Sequence, residues 1–350
     1  MPGFEWIDKQ EELAVRNIFR EGGVLMAHGF EKVRKNFYVR SFENKAQKYF
    51  NSKNCLAVTS GTAAIKIALK ALKVKPGDEV ITQSFNFIAT IEAILDCGAK
   101  PIIANVDETL NLDINDLKNL ITKKTKAIIP VHMLGFSCNM KEIMKIAKRK
   151  KIPVVEDNCE AVGGKYGKKF LGTIGDIGVF SFDHGKILTT GEGGMLLTNK
   201  KKYDRFCREY HDHGHENNLK FPRGRDTKKI FGFNYRMTEI QGAIASEQLK
   251  KLNTIIKDNS IKMNALKKII EPYFETRLIP KGSKCINDTL IIFQKNKFKR
   301  LKIIEILKNA KFGTKNLPDA MEWHCSYFWS HALKKSQVQR SKKTFKILNT

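Results

Sequence analysis

Leu56-Ala57-Val58-Thr59-Ser60-Gly61-Thr62-Ala63-Ala64 decides the fold: an apolar run ends in two hydroxyl residues and a glycine, and helix-forming residues continue to 72. Working outward, Glu79-Val80-Ile81-Thr82 leads in the same way into a helical stretch over 89–95. Ile102-Ile103-Ala104, Ala127-Ile128-Ile129-Pro130-Val131 and Ile152-Pro153-Val154-Val155 read as further strands with helices between them. Strands alternating with helices predict right-handed crossovers and an α/β fold, a mostly parallel sheet covered by helices on both faces. Sites in such sheets lie at the carboxyl ends of the strands. Gly61, Thr62, Phe87, Asp157 and the segment 181–186 are therefore expected to share one rim.

After about Lys250 the pattern changes to a lysine-rich helical stretch, then Thr289-Leu290-Ile291-Ile292-Phe293, then a helix with Leu301, Ile304 and Leu307 on one face. This predicts a large domain over 1–250 and a smaller α+β domain over 251–350. Internal repeats and low-complexity linkers are absent from the sequence.

A chain of 350 residues can bury a substantial core. Its seven cysteines are scattered without a C-x-x-C pair, which suits a reducing cytoplasm better than a disulfide framework or a zinc knuckle. The amino terminus meets a charge almost at once and no later run is apolar for the length of a membrane span, so no membrane partner is expected. The 63 Lys and Arg against 36 Asp and Glu leave a net charge of +27, a field that attracts nucleic acid, anionic lipid or phosphorylated small molecules. Yet the basic residues are spread through amphipathic segments. Between Lys141 and Lys151 they surround Ile143, Ile146 and Ala147, an i, i+3, i+4 apolar set, and so form the wet face of a helix. With no aromatic-interleaved RNA motif or zinc finger, no nucleic-acid partner is expected.

The chemistry concentrates in Phe180-Ser181-Phe182-Asp183-His184-Gly185-Lys186-Ile187-Leu188-Thr189-Thr190-Gly191-Glu192-Gly193-Gly194, an apolar strand running into a lysine and a glycine-rich turn. Partial desolvation of Lys186 is expected to lower its pKa and favour the free amine, the form that makes Schiff bases with carbonyls. Thr59-Ser60-Gly61-Thr62 is a strand-to-helix turn whose free N–H groups suit a phosphate, with a plain helix cap as the alternative. Ser181 adds a further hydroxyl. In Val154-Val155-Glu156-Asp157 an acid surfacing from a strand can hold a protonated ring nitrogen, or else cap a turn. Phe87 can stack on an aromatic cofactor or belong to the core. Thr238, after Asn234-Tyr235-Arg236-Met237, suits a helix cap. His211-Asp212-His213-Gly214-His215-Glu216 invites a metal reading, but its glycine and acids suit a polar loop, and no metal is expected.

Together these residues resemble the DegT/DnrJ/StrS-type sugar aminotransferases, which use pyridoxal phosphate on the fold-type I aminotransferase architecture. The resemblance rests on Ser60-Gly61-Thr62-Ala63-Ala64, Asn86-Phe87-Ile88-Ala89-Thr90, Glu156-Asp157, Phe180-Ser181-Phe182 with Lys186, Gly191-Glu192-Gly193-Gly194 and Asn234-Tyr235-Arg236-Met237. It runs from the amino terminus to about Leu252, with a looser continuation. It implies that Lys186 bonds the cofactor as a Schiff base, Asp157 binds its ring nitrogen, Phe87 stacks on the ring, and Gly61, Thr62 and Ser181 hold the phosphate. Asn234 would reach the cofactor of a neighbouring subunit, giving a homodimer with shared sites. Glu160 falls where the family often has Gln or His near the cofactor's phenolic oxygen. Tyr38, Arg40, His213 and His215 are the candidate sugar contacts.

One branch of the family replaces the lysine with histidine and dehydrates deoxysugars; Lys186 argues for amino transfer, with L-glutamate as the expected donor and a keto or aldehydo sugar as acceptor. A narrower resemblance to the branch that forms 8-amino-3,8-dideoxy-manno-octulosonate rests on Met1-Pro2-Gly3-Phe4-Glu5, Val131-His132-Met133, Thr173-Ile174-Gly175-Asp176, Ser181-Phe182-Asp183 and Asp212-His213-Gly214-His215. That branch serves lipopolysaccharide synthesis; a nucleotide-linked keto sugar is the alternative acceptor. Family members usually continue past the equivalent of Lys346-Ile347-Leu348 into another strand and a terminal helix, so the small domain is expected to be incomplete. The remaining readings are a dehydratase, an inactive paralogue, and a nucleic-acid-binding or regulatory protein on the same scaffold.

Overall fold

The computed structural model describes residues 3–217, 220–221, 225–226, 229–312 and 317–349. Met1 and Pro2 of the narrower resemblance lie outside them. The main strands are β1 (Asn54–Val58), β2 (Glu79–Gln83), β3 (Lys100–Ala104), β4 (Thr125–Ile129), β5 (Val155–Asp157), β6 (Ile177–Ser181) and β7 (Gly194–Thr198). β2 pairs parallel with both β3 and β4, and β5 pairs parallel with β6. Parallel bridges Ile128–Val154 and Val131–Asp157 join the two halves. β7 alone is reversed, antiparallel to β6 and to β1, so Lys186 sits on the connection of a hairpin rather than of a crossover.

Helices follow the strands where the sequence places them. They include α1 (Lys9–Arg20), α2 (Tyr38–Phe50), α3 (Gly61–Ala71), α4 (Ala89–Asp96), α5 (Ile114–Leu120), α6 (Met140–Lys150), α7 (Lys201–Tyr210) and α8 (Glu239–Ile270). Ser60 caps α3 by accepting from Ala63 N–H at 3.1 Å, and Thr238 caps α8 in a capping box with Gln241. α6 buries Ile143, Ile146 and Ala147 and turns Lys148 and Lys150 to solvent. One core joins α3, α4 and α7 through Ile65, Ile67, Ile94, Cys207 and Tyr210. A second packs Phe42 and Phe50 of α2 with Leu249 and Leu252 of α8 against Phe180 and Phe182, and a third sets Leu117 and Ile146 against Ile81 and Ile128. Strands covered on both sides read as continuous Val and Ile runs, and every residue of β2 is buried.

Position 250 falls inside α8, a single helix of 32 residues. Beyond it, Glu275–Thr276 pairs with Ile292–Phe293, so the expected strand over 289–293 contributes only its last two residues. α9 (Lys297–Asn309) buries none of its side chains; Leu301 is exposed, while Ile304 and Leu307 are half-buried. The chain then returns to the main sheet over 317–349. Ser326 N–H donates to Ser84 O at 2.9 Å, Ser84 and Thr344 share a hydroxyl hydrogen bond, and Trp329 is buried with Ile88, Ile91 and Ile103. Among the described residues no helix is long and apolar enough to cross a membrane.

Candidate active site

The carboxyl ends of β1, β5 and β6 open into a cavity of about 570 Å³ lined by Gly61, Thr62, Phe87, Asp157, Glu160, Ser181 and Lys186. Seven of the residues singled out in the sequence thus converge. Gly61 is needed there: a Cβ would lie 2.8 Å from Ser181 Cβ and 3.1 Å from Cys159 Sγ, so a side chain would close the gap between the turn and Ser181.

The two acids of β5 face opposite ways, as successive strand residues must. Glu156 is fully buried and structural. It accepts from the N–H groups of Gly172 at 3.0 Å, Ile174 at 2.6 Å and Gly175 at 2.5 Å. His132 Nδ1 accepts from Cys138 N–H at 3.1 Å, which leaves Nε2–H to donate to Glu156 at 3.2 Å. Asp157 turns to the cavity, where Thr90 Oγ1 donates to its Oδ2 at 2.8 Å and Cys159 N–H to its Oδ1 at 3.2 Å.

Lys186 Nζ lies 3.4 Å from Glu160 Oε1, and Leu134 N–H donates to Glu160 Oε2 at 3.0 Å. Burial works against the ammonium, but Glu160, Cys159 and Asp183 outweigh it, and the Lys186 pKa is raised above the ordinary lysine value. This corrects the expectation of a lowered pKa: an acid close by defeats desolvation. The lysine hairpin is pinned by Phe182 N–H to Gly193 O at 2.8 Å and Thr190 N–H to Phe182 O at 3.0 Å. The amino-terminal turn Gly3–Trp6 also seats on it. Gly3 N–H donates to Lys186 O at 2.6 Å, and Phe4 stacks on His184 with centroids 4.5 Å apart.

Phe87 is 43% exposed and presents its ring beside Trp323, 6.3 Å away at 14°, and His324 at 5.7 Å. The structure does not bring the remaining candidates to this cavity. Asn234 is exposed, and its Oδ1 accepts from Arg236 N–H at 3.3 Å. Tyr38 donates to Glu21 at 3.2 Å, and Arg40 lies over the Phe37 ring and 3.6 Å from Glu31. His213 is exposed, while His215 pairs with Asp226 at 2.9 Å and Asp212 with Arg236. Among the described residues no group of three His, Cys, Asp or Glu is placed to hold a metal ion.

Sequence reading missed Thr90, Asp288 and His324. Thr90 carried a signal, since it stands four residues after Asn86 at the start of α4, with its Oγ1 3.2 Å from Asn86 Oδ1. Asp288 and His324 line the cavity from segments remote in sequence and had none. An amine, a buried carboxylate anchored by two donors, an exposed aromatic ring and an open glycine turn flanked by hydroxyls form a donor set that fits a phosphorylated aromatic aldehyde with a basic ring nitrogen.

The sheet order, the reversed strand and a lysine on the hairpin rim define the fold-type I aminotransferase scaffold. A model of the DegT/DnrJ/EryC1/StrS aminotransferase family matches residues 23–346, and the chain belongs to that family. GDP-perosamine synthase of Escherichia coli O157:H7 is 41% identical over 224 residues, 63% of this chain and 60% of that protein. The chain thus spans under two thirds of the length of that curated relative. The aminotransferase from Psychrobacter cryohalolentis superposes with a TM-score of 0.76 at 25% identity, covering 97% of this chain and 96% of that one. The E. coli GDP-4-keto-6-deoxy-D-mannose-3-dehydratase with bound hydrated PLP gives 0.77 at 26% identity, over 91% of this chain and 87% of that one.

Proposed function

We propose that the chain is a pyridoxal phosphate-dependent aminotransferase that moves an amino group from L-glutamate to a keto or aldehydo sugar in cell-surface polysaccharide synthesis. The observation that carries this reading is Lys186 Nζ standing in the same cavity as Asp157 and the Ser60-Gly61-Thr62 turn. Lys186 would hold the cofactor, Asp157 its ring N–H, Phe87 its ring face, and Gly61, Thr62 and Ser181 its phosphate. The cofactor supplies an electron sink when bound. Lys186 Nζ takes the proton from the α-carbon of the donor and later delivers one to the acceptor carbon, the general acid–base role. Thr90 and the Cys159 N–H hold Asp157 aimed into the cavity.

The acceptor is a sugar of one of two kinds. The narrower motif set supports an eight-carbon sugar acid, giving the 8-amino-3,8-dideoxy product, while the likeness to GDP-perosamine synthase supports a nucleotide-linked keto sugar. A shared-site homodimer is part of the same proposal. Among the described residues five carboxylates (Asp157, Glu160, Asp183, Glu192, Asp288) line the cavity against one lysine, and cations from a second copy would suit a dianionic donor. Asn234, exposed outside the chain's own cavity, suits a reach to the phosphate of the second copy's cofactor. The test is incubation with labelled glutamate and a panel holding both acceptor kinds, with borohydride reduction and peptide mapping of the cofactor adduct. Label in an amino sugar and a pyridoxyl group on Lys186 are expected. An adduct elsewhere overturns the reading.

A further inference from the structure

We propose that Glu160 is a positioning residue for Lys186, one whose Oε1 pairs with the Nζ ammonium and fixes where that group stands in the cavity, and that the turn at Leu134 holds Glu160 in place for this. The inference rests on the reading of Lys186 as the reactive amine, but it concerns two side chains of this polypeptide.

Glu160 is divided between two tasks. Its Oε2 accepts from Leu134 N–H at 3.0 Å, which leaves Oε1 facing Lys186 Nζ at 3.4 Å. Both side chains are mostly withdrawn from solvent, with 16% exposure for Glu160 and 22% for Lys186, so their attraction is screened far less than on the surface. The donor to Oε2 comes from unusual backbone. Leu134 has φ 54° and ψ 43°, the left-handed region that a leucine seldom occupies unless its surroundings impose it. Gly135 follows at φ 81°, and a Cβ there would meet Asp288 Oδ1 at 2.9 Å, so the turn also brings a second acid against this corner of the cavity.

The other ionisable groups of the cavity are engaged otherwise. Asp157 takes Thr90 and Cys159 N–H, and Asp183 Oδ1 accepts from Gly185 N–H at 3.0 Å. Burial pushes the Cys159 thiol well above its usual value, with Asp157 adding to the effect, and it pushes the Asp288 carboxyl up as well, with Glu160 adding. Glu192 and His324 complete the set. Among the described residues, Glu160 is the carboxylate in ion-pair range of Nζ.

Trace acetylation of the full chain with acetic anhydride across pH, read by peptide mapping after the bound aldehyde is stripped with hydroxylamine, follows the free-amine fraction of each lysine. In the wild type, Lys186 should label with a midpoint above that of exposed lysines such as Lys9. Glu160→Gln should raise its labelling at pH 7.5 on the order of tenfold, one unit of pKa, with the other lysines unchanged, and Glu160→Asp should fall between. A folded Glu160→Gln protein that labels Lys186 as the wild type does overturns the proposal. A wild-type midpoint at or below that of exposed lysines overturns it too, whatever the variants do. Borohydride mapping separates the two readings: a normal labelling pattern with no pyridoxyl group at 186 leaves the Glu160 pairing intact and removes the transaminase.

Discussion

Thr90 Oγ1 and Asp157 Oδ2 meet at 2.8 Å with both side chains buried, and this bond ties the first turn of α4 to the end of β5 beneath the cavity. A carboxylate held by a buried hydroxyl donor keeps one orientation. Thr90→Val keeps the shape and removes the donor. Leaving a buried acceptor short of a partner costs about 1–3 kcal/mol, so cofactor retention should fall roughly tenfold to hundredfold. Equilibrium dialysis measures this, and Thr90→Ser should restore most of the loss.

On the proposed function, Lys186→Ala removes both the attachment point and the proton carrier. Proton transfer alone contributes about 10²–10⁴-fold in rate, so turnover of glutamate and sugar should vanish in a coupled assay. Wild-type turnover by this variant would exclude the function.

Glu156 and Asp157 should respond in opposite ways. Glu156→Gln puts an amide N–H either against the N–H of Gly172 or, turned over, against those of Ile174 and Gly175, and the fold should lose about 3 kcal/mol by urea titration. Asp157→Asn should leave the urea midpoint nearly unchanged and depress amino transfer severely.

His211 makes stability depend on pH. Burial pushes its pKa down to about 4 from 6.5, with Nδ1–H donating to Arg208 O. Because the folded value lies below the unfolded one, the unfolded chain binds more protons between pH 4 and 6.5. The stability is complete above 6.5 and is lost as pH falls toward 4. Between pH 7.5 and 5 the wild type should lose about 2 kcal/mol more than His211→Gln, measured by urea titration at the two pH values.

The alternation of strands and helices from β1 to β5 was legible because the strands are largely buried and are punctuated by turns and helices. Lys186, Gly61 and Asp157 were legible for the same reason, since rim residues follow strands. The reversal of β7 was not, because a buried antiparallel strand and a buried parallel one carry the same apolar run. The raised Lys186 pKa was hidden in the approach of Glu160, 26 residues away, which only the folded turn at Leu134 arranges. His324 and Asp288 reach the cavity through tertiary packing of segments whose local patterns name no site.

The hairpin that carries Lys186 closes on itself, through Phe182, Thr190 and Gly193, without borrowing the lysine side chain. The residue proposed to react is therefore separable from its architecture. One codon at position 186 can be exchanged and the sheet will still assemble, so a lineage built on this scaffold can alter its reaction before altering its shape. Divergence among such proteins should then be sought first in the identity of that one position and its acidic neighbour, and only afterwards in the strands.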